Sequence, residues 1–321
     1  MSRLKTIFFG TPEISVPYLE LLHELTDIQL VVTQADKPRG RGMVITPCPV
    51  KKRAIELGLP VRSPEKMKDI FAEVQQISFD LGVAVAFGKI FRPDFLALPK
   101  LGIINVHFSL LPLLRGAAPV QHSLFQNFQK TGVSVFWIEP GLDDGPLFLQ
   151  KEIAVEPTDN AETLFTKLIS LGLDALRETL IQISDGKIVK TPQVGTPTLA
   201  PMISKEEAVL NFNEMTAQQI HHKVRGLACG PKARTFITLN GKTELLQILA
   251  TQLPLSESAQ ATAGTILDVE SPRGILVKCK EGSLWITKVH PAGKKPMSAI
   301  DFANGHRLQP AMTIFSVCQT K

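Results

Sequence analysis

The chain has 321 residues, of which 44% are hydrophobic and 20% charged, and its formal net charge is +5. This length suits two domains better than one, and the composition excludes disordered, collagenous and coiled-coil proteins. The longest apolar runs are strand-length, far short of the ~20 residues that a membrane helix needs, and the N-terminus lacks a signal-peptide pattern. The 4 Cys are scattered without metal-ligand spacing, so we expect free thiols, a cytoplasmic location, no metal and no membrane association.

The positive charge is unevenly distributed along the chain. Residues 1–204 contain 21 Lys and Arg against 21 Asp and Glu, whereas residues 205–321 contain 14 against 9. Within the neutral part, residues 37–53 hold six basic residues and no acidic one. A polyanionic partner that touches both regions would explain this distribution.

Apolar runs and amphipathic stretches alternate through the first half of the chain. The runs predict buried strands at 6–9, 28–33, 80–87, 103–107, 131–138 and 147–155. The amphipathic stretches predict helices at 14–25, 50–57, 65–75, 117–128 and 161–183. This alternation is typical of an α/β fold, and we predict a Rossmann-like, mostly parallel sheet with flanking helices.

The pattern changes after residue 184. A Pro- and Gly-containing stretch without periodicity predicts a linker at 189–206. A helical stretch at 217–227 precedes short strand-like runs at 235–239, 244–250, 264–269, 274–279 and 283–289. These runs predict a small, OB-like β-barrel, so we divide the chain into domains at 1–188 and 207–321.

Two windows carry residues suited to attack on a carbonyl carbon. Asn105 and His107 lie on one face near the end of a predicted parallel strand, where open α/β sheets bind ligands. An amide can donate to a developing oxyanion, and an imidazole exchanges protons near neutral pH. Asp143 lies in a glycine-bracketed turn that could present it to this edge. The alternatives are ordinary capping of the strand end and a plain Asp-Gly turn.

These windows resemble the folate-dependent formyltransferases. Residues 105–112 match the family motif Asn-x-His-x-Ser-Leu-Leu-Pro, and residues 142–145 match its Leu-Asp-x-Gly loop. The basic loop at 33–51 and the segment 291–298 resemble the branch of the family whose acceptor is a methionyl-tRNA. The matches extend from residue 8 to about residue 305, nearly the whole chain.

The resemblance implies transfer of a formyl group from 10-formyltetrahydrofolate to the α-amino group of methionyl initiator tRNA. It implies a catalytic trio of Asn105, His107 and Asp143. We expect Asn105 and protonated His107 to hold the oxyanion. We expect Asp143 to orient His107, raise its pKa and help relay a proton to folate N10.

The resemblance also implies two sets of binding residues. The folate is expected against Phe87, Gly88, Lys89, Ile90, Ser109, Leu110, Leu111, Pro112 and Asp143. The tRNA is expected against Lys37, Arg39, Arg41, Lys51, Arg115, Lys223, Arg225, Lys232, Lys294 and Lys295. Core packing for the apolar residues, a local ion pair for Arg115 and a solvated basic loop are the alternatives. We expect a monomer with no metal.

Several positions depart from the family pattern: Phe108, Leu113-Leu114, the stretch 228–231, and the second carboxylate Asp144. A rival function is a formyltransferase or formyl-folate hydrolase that acts on a small acceptor, such as an amino sugar or a ribonucleotide. The basic loop and the basic last third argue against that acceptor. A tRNA-binding protein without activity is a second rival, and the intact trio argues against it.

Overall fold

The computed structural model describes residues 3–39, 44–239, 241–255 and 260–316. The chain forms two compact units. The first comprises Met1–Pro119, Lys130–Ala154 and Thr166–Pro201, and the second comprises Val120–Gln129, Val155–Phe165 and Met202–Lys321. Both units draw on more than one segment, whereas our sequence division at 1–188, 189–206 and 207–321 is strictly sequential and stays a prediction.

The N-terminal strands and helices follow the predicted alternation. The strands are β1 Lys5–Gly10, β2 Asp27–Val32, β3 Lys37–Arg39, β4 Val44–Thr46, β5 Val61–Arg62, β6 Leu81–Val85, β7 Gly102–His107, β8 Lys130–Trp137 and β9 Leu147–Ala154. The α-helices are α1 Val16–Leu25, α2 Pro49–Glu56, α3 Phe71–Gln75, α4 Pro93–Leu96, α5 Pro119–Phe125 and α6 Ala161–Ser184. Short 3-10 helices occur at Glu13–Ser15 and Met67–Ile70.

Seven of these strands form one sheet in the order β5-β2-β1-β6-β7-β8-β9. The pairs from β5 to β7 are parallel, and β8 and β9 join antiparallel. All five residues of β6 are buried, which is why this parallel strand is an unbroken apolar run. The predicted mostly parallel sheet is thereby confirmed.

An aromatic cluster ties the loop after β6 to this sheet. The Phe9 ring lies 5.5 Å from that of Phe87, 4.9 Å from that of Phe91 and 5.9 Å from that of Phe95, between centroids. All four side chains are buried. The apolar core therefore fixes the position of a loop that the sequence assigns to ligand binding.

The second unit contains a largely antiparallel sheet. Its elements are α7 Ala217–Gly226, β10 Arg234–Leu239, β11 Lys242–Gln252, β12 Ile266–Glu270, β13 Gly274–Lys278, β14 Ser283–Pro291, β15 Met297–Ser298, α8 Ala299–His306 and β16 Phe315–Ser316. The strand order is β12-β13-β14-β11-β10-β16, with β15 paired to β14. This arrangement confirms the small barrel domain. We did not predict α8 from the sequence. It is a short helix whose first turn is capped by the Ser298 hydroxyl, which accepts from Asp301 N at 3.0 Å.

The basic loop contains more regular structure than its Gly- and Pro-rich sequence indicates. β3 and β4 form a separate antiparallel pair with Arg39 opposite Val44. An ion pair of 2.5 Å joins Asp36, immediately before β3, to Lys51 in α2. The described residues between 36 and 48 form no helix, in agreement with a loop, but they include two short strands that the sequence did not reveal.

No helix within the described ranges is both long enough and apolar enough to cross a membrane.

Candidate active site

His107 and Asp143 meet although they lie on different elements. His107 is the last residue of β7, and Asp143 lies in the turn that joins β8 to β9. β8 ends at Trp137, which is paired with Ile104 rather than with His107. The turn at 138–146 nevertheless brings Asp143 Oδ2 to 3.7 Å from His107 Nδ1. The structure thus brings together two members of the trio that the sequence predicts.

The tautomer of His107 follows from its other ring nitrogen. His107 Nε2 lies 2.9 Å from the carbonyl oxygen of Leu114. A carbonyl can only accept, so Nε2 carries a hydrogen and donates it. In the neutral ring the lone pair is therefore on Nδ1, the nitrogen that faces Asp143.

Burial and charge act on His107 in opposite directions. Its side chain is only 6% exposed. Burial lowers the pKa of His107 below its usual value, while the Asp143 charge and the Leu114 carbonyl raise it and offset only part of that effect. Asp143 does contribute in the direction that we expected, but the net shift is downward. The net effect therefore favours the neutral form of the His107 ring.

Asp143 is held in an uncommon backbone conformation. Its φ is 47°, in the left-handed region, where a non-glycine residue costs of order 1–3 kcal/mol. Its Oδ2 accepts a hydrogen bond from Gly116 N at 2.8 Å. Asp144 has a different environment: its carboxylate occupies the space that a Cβ on Gly141 would need. The second carboxylate is therefore folded over Gly141.

Asn105 offers a side chain available to a ligand. It is half-buried on β7, and β-strand alternation places it on the same face as His107. Its amide bonds to no other residue within the described ranges. The amide hydrogens can therefore be donated to a bound substrate.

The predicted folate residues after β6 occupy three different environments. Gly88 has a φ of 70° and is exposed, and the Ile90 side chain is 85% exposed. The Phe87 side chain belongs to the aromatic cluster. Lys89 Nζ donates to two carbonyls, those of Pro64 at 2.6 Å and Glu65 at 2.7 Å. The loop thus presents backbone and Ile90 outward, while Phe87 and Lys89 fix it to the fold.

The predicted folate residues after β7, Ser109–Pro112, are held by polar bonds from the neighbouring strands. Ser134 Oγ donates to the carbonyl of Ser109 at 2.6 Å and accepts from Leu111 N at 3.1 Å. Gln150 Nε2 donates to the carbonyl of Leu111 at 2.9 Å. The side chains of Leu111 and Pro112 are buried and that of Leu110 is half-buried. Their contacts with folate stay predictions.

Two departures from the family pattern have local explanations. The Phe108 ring is buried, with its centroid 6.4 Å from that of Tyr18. The Leu114 side chain is fully buried and its φ is 61°. Phe108 therefore packs in the core, and the Leu114 position acts on His107 through its backbone carbonyl.

Several residues that support the site were not predicted from the sequence. Gln34 Nε2 donates to the carbonyl of Phe87 at 2.8 Å, which fixes the loop after β6. Thr198 Oγ1 accepts from Leu114 N at 2.9 Å. The third is Gln193, in a Pro- and Gly-containing stretch that we interpreted as a linker. Gln34 lies in the loop at 33–51 that resembles the family, but no motif indicated a supporting role for any of the three residues.

The stretch 191–200 belongs to the first unit and is bonded to other segments of that unit near both of its ends. Thr191 exchanges two backbone hydrogen bonds with Leu147, at 2.7 and 2.9 Å. Arg115 N donates to the carbonyl of Thr198 at 2.9 Å, and Ala200 N donates to the carbonyl of Arg115 at 2.8 Å. This part of the predicted linker therefore lies against the loop that carries Leu114 and Gly116.

The predicted tRNA residues of the first unit are only partly described. Arg41, and the side chains of Lys37 and Arg39, lie outside the described part of the chain. Lys51 is paired with Asp36. The Arg115 guanidinium donates to Gln193 Oε1 from Nη2 at 2.7 Å and from Nε at 3.2 Å.

Most of the predicted tRNA residues of the second unit make bonds within the fold. Lys223 donates to the carbonyl of Val209 at 3.4 Å. Arg225 donates to the carbonyls of Asp159 and Glu156 at 2.6 and 2.9 Å. Lys232 contacts the Ala228 carbonyl and the Glu162 carboxylate. Lys294 and Lys295 are exposed. Their contacts with tRNA stay predictions.

Comparison with known proteins identifies the family of this arrangement. A model of the formyl transferase family matches residues 5–180, and a model of the formyl transferase C-terminal domain matches residues 202–307. The chain belongs to the formyl transferase family.

Two relatives extend the match of this formyl transferase over the whole chain. Methionyl-tRNA formyltransferase from Elusimicrobium minutum (strain Pei191) is 50% identical, with 97% of this chain and all of the relative covered. Methionyl-tRNA formyltransferase from Thermodesulfovibrio yellowstonii is 40% identical, with 97% and 98% covered. The crystal structure of the N-formyltransferase from Helicobacter canadensis with folinic acid and dTDP-3-aminofucose shares the fold, with a TM-score of 0.66 and 17% identity. That comparison covers 89% of this chain and 99% of the other.

Burial lowers the pKa of His107 and the Asp143 charge raises it, so the effect of removing that charge can be predicted. Asp143→Asn removes the negative charge that raises the pKa of His107, so this pKa falls further below its usual value. An NMR titration of the His107 ring protons measures the change. Asp144→Asn is the matched control, because that carboxylate is folded over Gly141, and it leaves the titration unchanged. A rise in the pKa of His107 in Asp143→Asn contradicts the electrostatic assignment.

Proposed function

We propose that this enzyme transfers the formyl group of 10-formyltetrahydrofolate to the α-amino group of methionyl initiator tRNA, giving N-formylmethionyl-tRNA for translation initiation. The observation that carries the proposal is the buried His107, whose Nδ1 faces the Asp143 carboxylate at 3.7 Å. Similarity to two methionyl-tRNA formyltransferases over the whole chain supports the acceptor. Membership of the formyl transferase family supports a folate-type formyl donor as the second substrate.

The first step requires a neutral amine and a base. An α-amino group has a pKa of ~7.7–8.0 and is partly protonated at neutral pH. When the free amine attacks the formyl carbon, a C–N bond forms and the carbonyl oxygen becomes an oxyanion. The attacking nitrogen then carries an extra proton. Neutral His107 can accept this proton at Nδ1, because its Nε2 hydrogen is donated to Leu114.

In the tetrahedral intermediate, the protonated His107 ring lies beside two negative groups, the Asp143 carboxylate and the oxyanion. The ring is now an imidazolium, which the Asp143 carboxylate stabilises and which can donate to the oxyanion. The Asn105 amide supplies a second donor. A site that keeps His107 neutral before the reaction and stabilises its cation during it favours the tetrahedral state over the bound substrates.

Collapse of the intermediate completes the proton transfer. The oxyanion reforms the carbonyl, the bond between the formyl carbon and folate N10 breaks, and N10 takes the proton from His107 Nδ1. The amine thus loses one proton and the departing folate gains one, so His107 returns to its neutral form.

The acceptor is proposed to be a tRNA because positive charge is concentrated in two regions. The basic loop holds Arg41, the residue we expect to contact the acceptor end, since a guanidinium binds phosphates and base edges through paired donors. The domain proposed at 207–321 adds phosphate attraction through exposed residues such as Lys294 and Lys295. We propose that the enzyme works in the cytoplasm as a monomer.

The first test compares acceptors. The purified protein is expected to formylate methionyl initiator tRNA when 10-formyltetrahydrofolate is supplied, and to formylate methionyl elongator tRNA more slowly. The assay follows acid-stable formylmethionine released from the tRNA. Parallel reactions contain a nucleotide-linked amino sugar, a ribonucleotide amine, or no acceptor, the last to detect hydrolysis of the donor. Turnover in one of these reactions without formylation of the initiator tRNA would falsify the proposed acceptor.

The second test concerns the oxyanion. Asn105→Ala removes one donor to the developing charge, so kcat is expected to fall about 10²–10³-fold with little change in KM for either substrate. Asn105→Asp, which replaces a donor with a negative charge, is expected to lose at least as much. Asn304→Ala, an exposed change on α8, is the control and keeps wild-type kcat. A loss confined to KM means that Asn105 only binds substrate.

The third test separates the two substrates. Arg41→Ala is expected to raise KM for the tRNA and to leave KM for the formyl donor unchanged, because only the tRNA offers phosphates to this side chain. Arg62→Ala is a control with the same loss of charge at an exposed residue outside the loop. Steady-state kinetics with each substrate varied in turn measures both constants. Equal losses for both substrates mean that the loop has a structural role.

A further inference from the structure

Every hydrogen-bonding position of the Gln193 amide is used at the candidate active site. Its Nε2 donates to the carbonyl of Asp143 at 2.8 Å and to the carbonyl of Gly145 at 2.9 Å. Its Oε1 accepts two bonds from Arg115. Because carbonyls only accept and a guanidinium only donates, these partners permit one orientation of the amide. Gln193 thus connects the turn that carries Asp143 to a predicted phosphate-binding arginine.

Polar bonds rather than apolar burial hold the stretch around Gln193. Gln193 and Thr198 are half-buried, whereas Val194 is 84% exposed and Leu199 is 64% exposed. The backbone is attached near both ends, at Thr191 and at Thr198. A stretch that contributes so little apolar surface to a core is positioned chiefly by the bonds that it makes to the loops of the site.

The turn that Gln193 contacts needs external support. Asp143 has a left-handed backbone, a conformation that persists in a non-glycine residue only when its surroundings enforce it. Gly145 passes close to the carbonyl of Trp137, with no room for a side chain. Within the described ranges, the side-chain bonds to the backbone of this turn at residues 143 and 145 come from Gln193.

We propose that Gln193 is a positioning residue, which fixes the backbone of Asp143 so that its carboxylate stays against His107 during formyl transfer. The proposal rests on the proposed function for its catalytic consequence, but its structural part concerns only the pair of His107 and Asp143. Gln193 touches no reacting atom. It acts through Asp143, and its bond to Arg115 keeps the amide in the orientation that donates to the turn.

Two variants test this role. Gln193→Met has similar length and no charge, and it removes all four bonds. Gln193→Glu keeps an acceptor for Arg115 but cannot donate to the two carbonyls, against which it places a carboxylate oxygen. It therefore removes the support of the turn and leaves the contact with Arg115. Both are expected to lower kcat by up to about 10²-fold, the effect of a small misplacement of a catalytic group, with little change in KM. Val194→Met introduces the same side chain at the adjacent exposed position and is expected to keep wild-type kcat.

The His107 titration supplies a readout that does not depend on turnover. In Gln193→Met, Asp143 is less well fixed against His107, so the pKa of His107 is expected to fall, as in Asp143→Asn. Circular dichroism and thermal unfolding verify that each variant is folded. If Gln193→Met fails to fold, Gln193→Glu, which retains the bond to Arg115, provides the kcat comparison.

The outcomes separate this inference from the proposed function. Wild-type kcat and an unchanged His107 titration in the folded variants overturn the inference. A loss of kcat with an unchanged titration also overturns it, because Gln193 would then act other than through Asp143. If the wild-type protein does not formylate methionyl-tRNA but the titration shifts in Gln193→Met, the proposed function fails and the positioning role stands.

Discussion

The burial of an imidazole beside a carboxylate is the constraint on which the site depends. Removing His107 from water destabilises its charged form, and the Asp143 carboxylate at 3.7 Å offsets only part of that destabilisation. If His107 were exposed, it would be partly protonated near neutral pH and could not act fully as a base. In the mechanism that we propose, the His107 cation would lack a counter-charge if Asp143 were absent. The two effects together favour a neutral ring before the proposed proton transfer and stabilise the cation that the transfer forms.

This arrangement has a cost in backbone conformation. Of the six non-glycine residues with positive φ in the described part of the chain, Ala86, Leu114 and Asp143 lie in the loops that form or adjoin the candidate site. Such conformations cost of order 1–3 kcal/mol each and persist where the surroundings fix them. The compensating bonds are visible for two of the three. Thr198 accepts from Leu114 N, and Gln193 donates to the carbonyl of Asp143. The carbonyl of Leu114, whose backbone has this left-handed conformation, in turn selects the tautomer of His107.

The sequence predicted the parts of this structure that depend on local pattern. The apolar runs predicted six of the seven strands of the first sheet, all but the two-residue β5, and the motif around Asn105 and His107, with the turn at Asp143, located the candidate trio. The remaining features depend on contacts between distant residues. Gln193 bonds to Asp143 across 50 positions and to Arg115 across 78, and nothing in its Pro- and Gly-containing surroundings indicates those partners. The acceptor for His107 is a backbone carbonyl, which any residue at position 114 would supply, so no side chain could reveal it.

The net charge indicates long-range attraction to a polyanion, but it is a poor measure of how many basic residues contact one. Arg225 donates to two carbonyls of the loop at 156–159, and Lys51 is paired with Asp36, so these cations already stabilise the fold. A lysine has three N–H donors on a single nitrogen, whereas the planar group of an arginine carries five in a fixed fork. Arg115 uses two of them on Gln193 and has three left for an anion within the described structure, so one side chain can support the Asp143 turn and bind substrate at the same time. An arginine at this position therefore suits both roles, of which the contact with substrate stays a prediction.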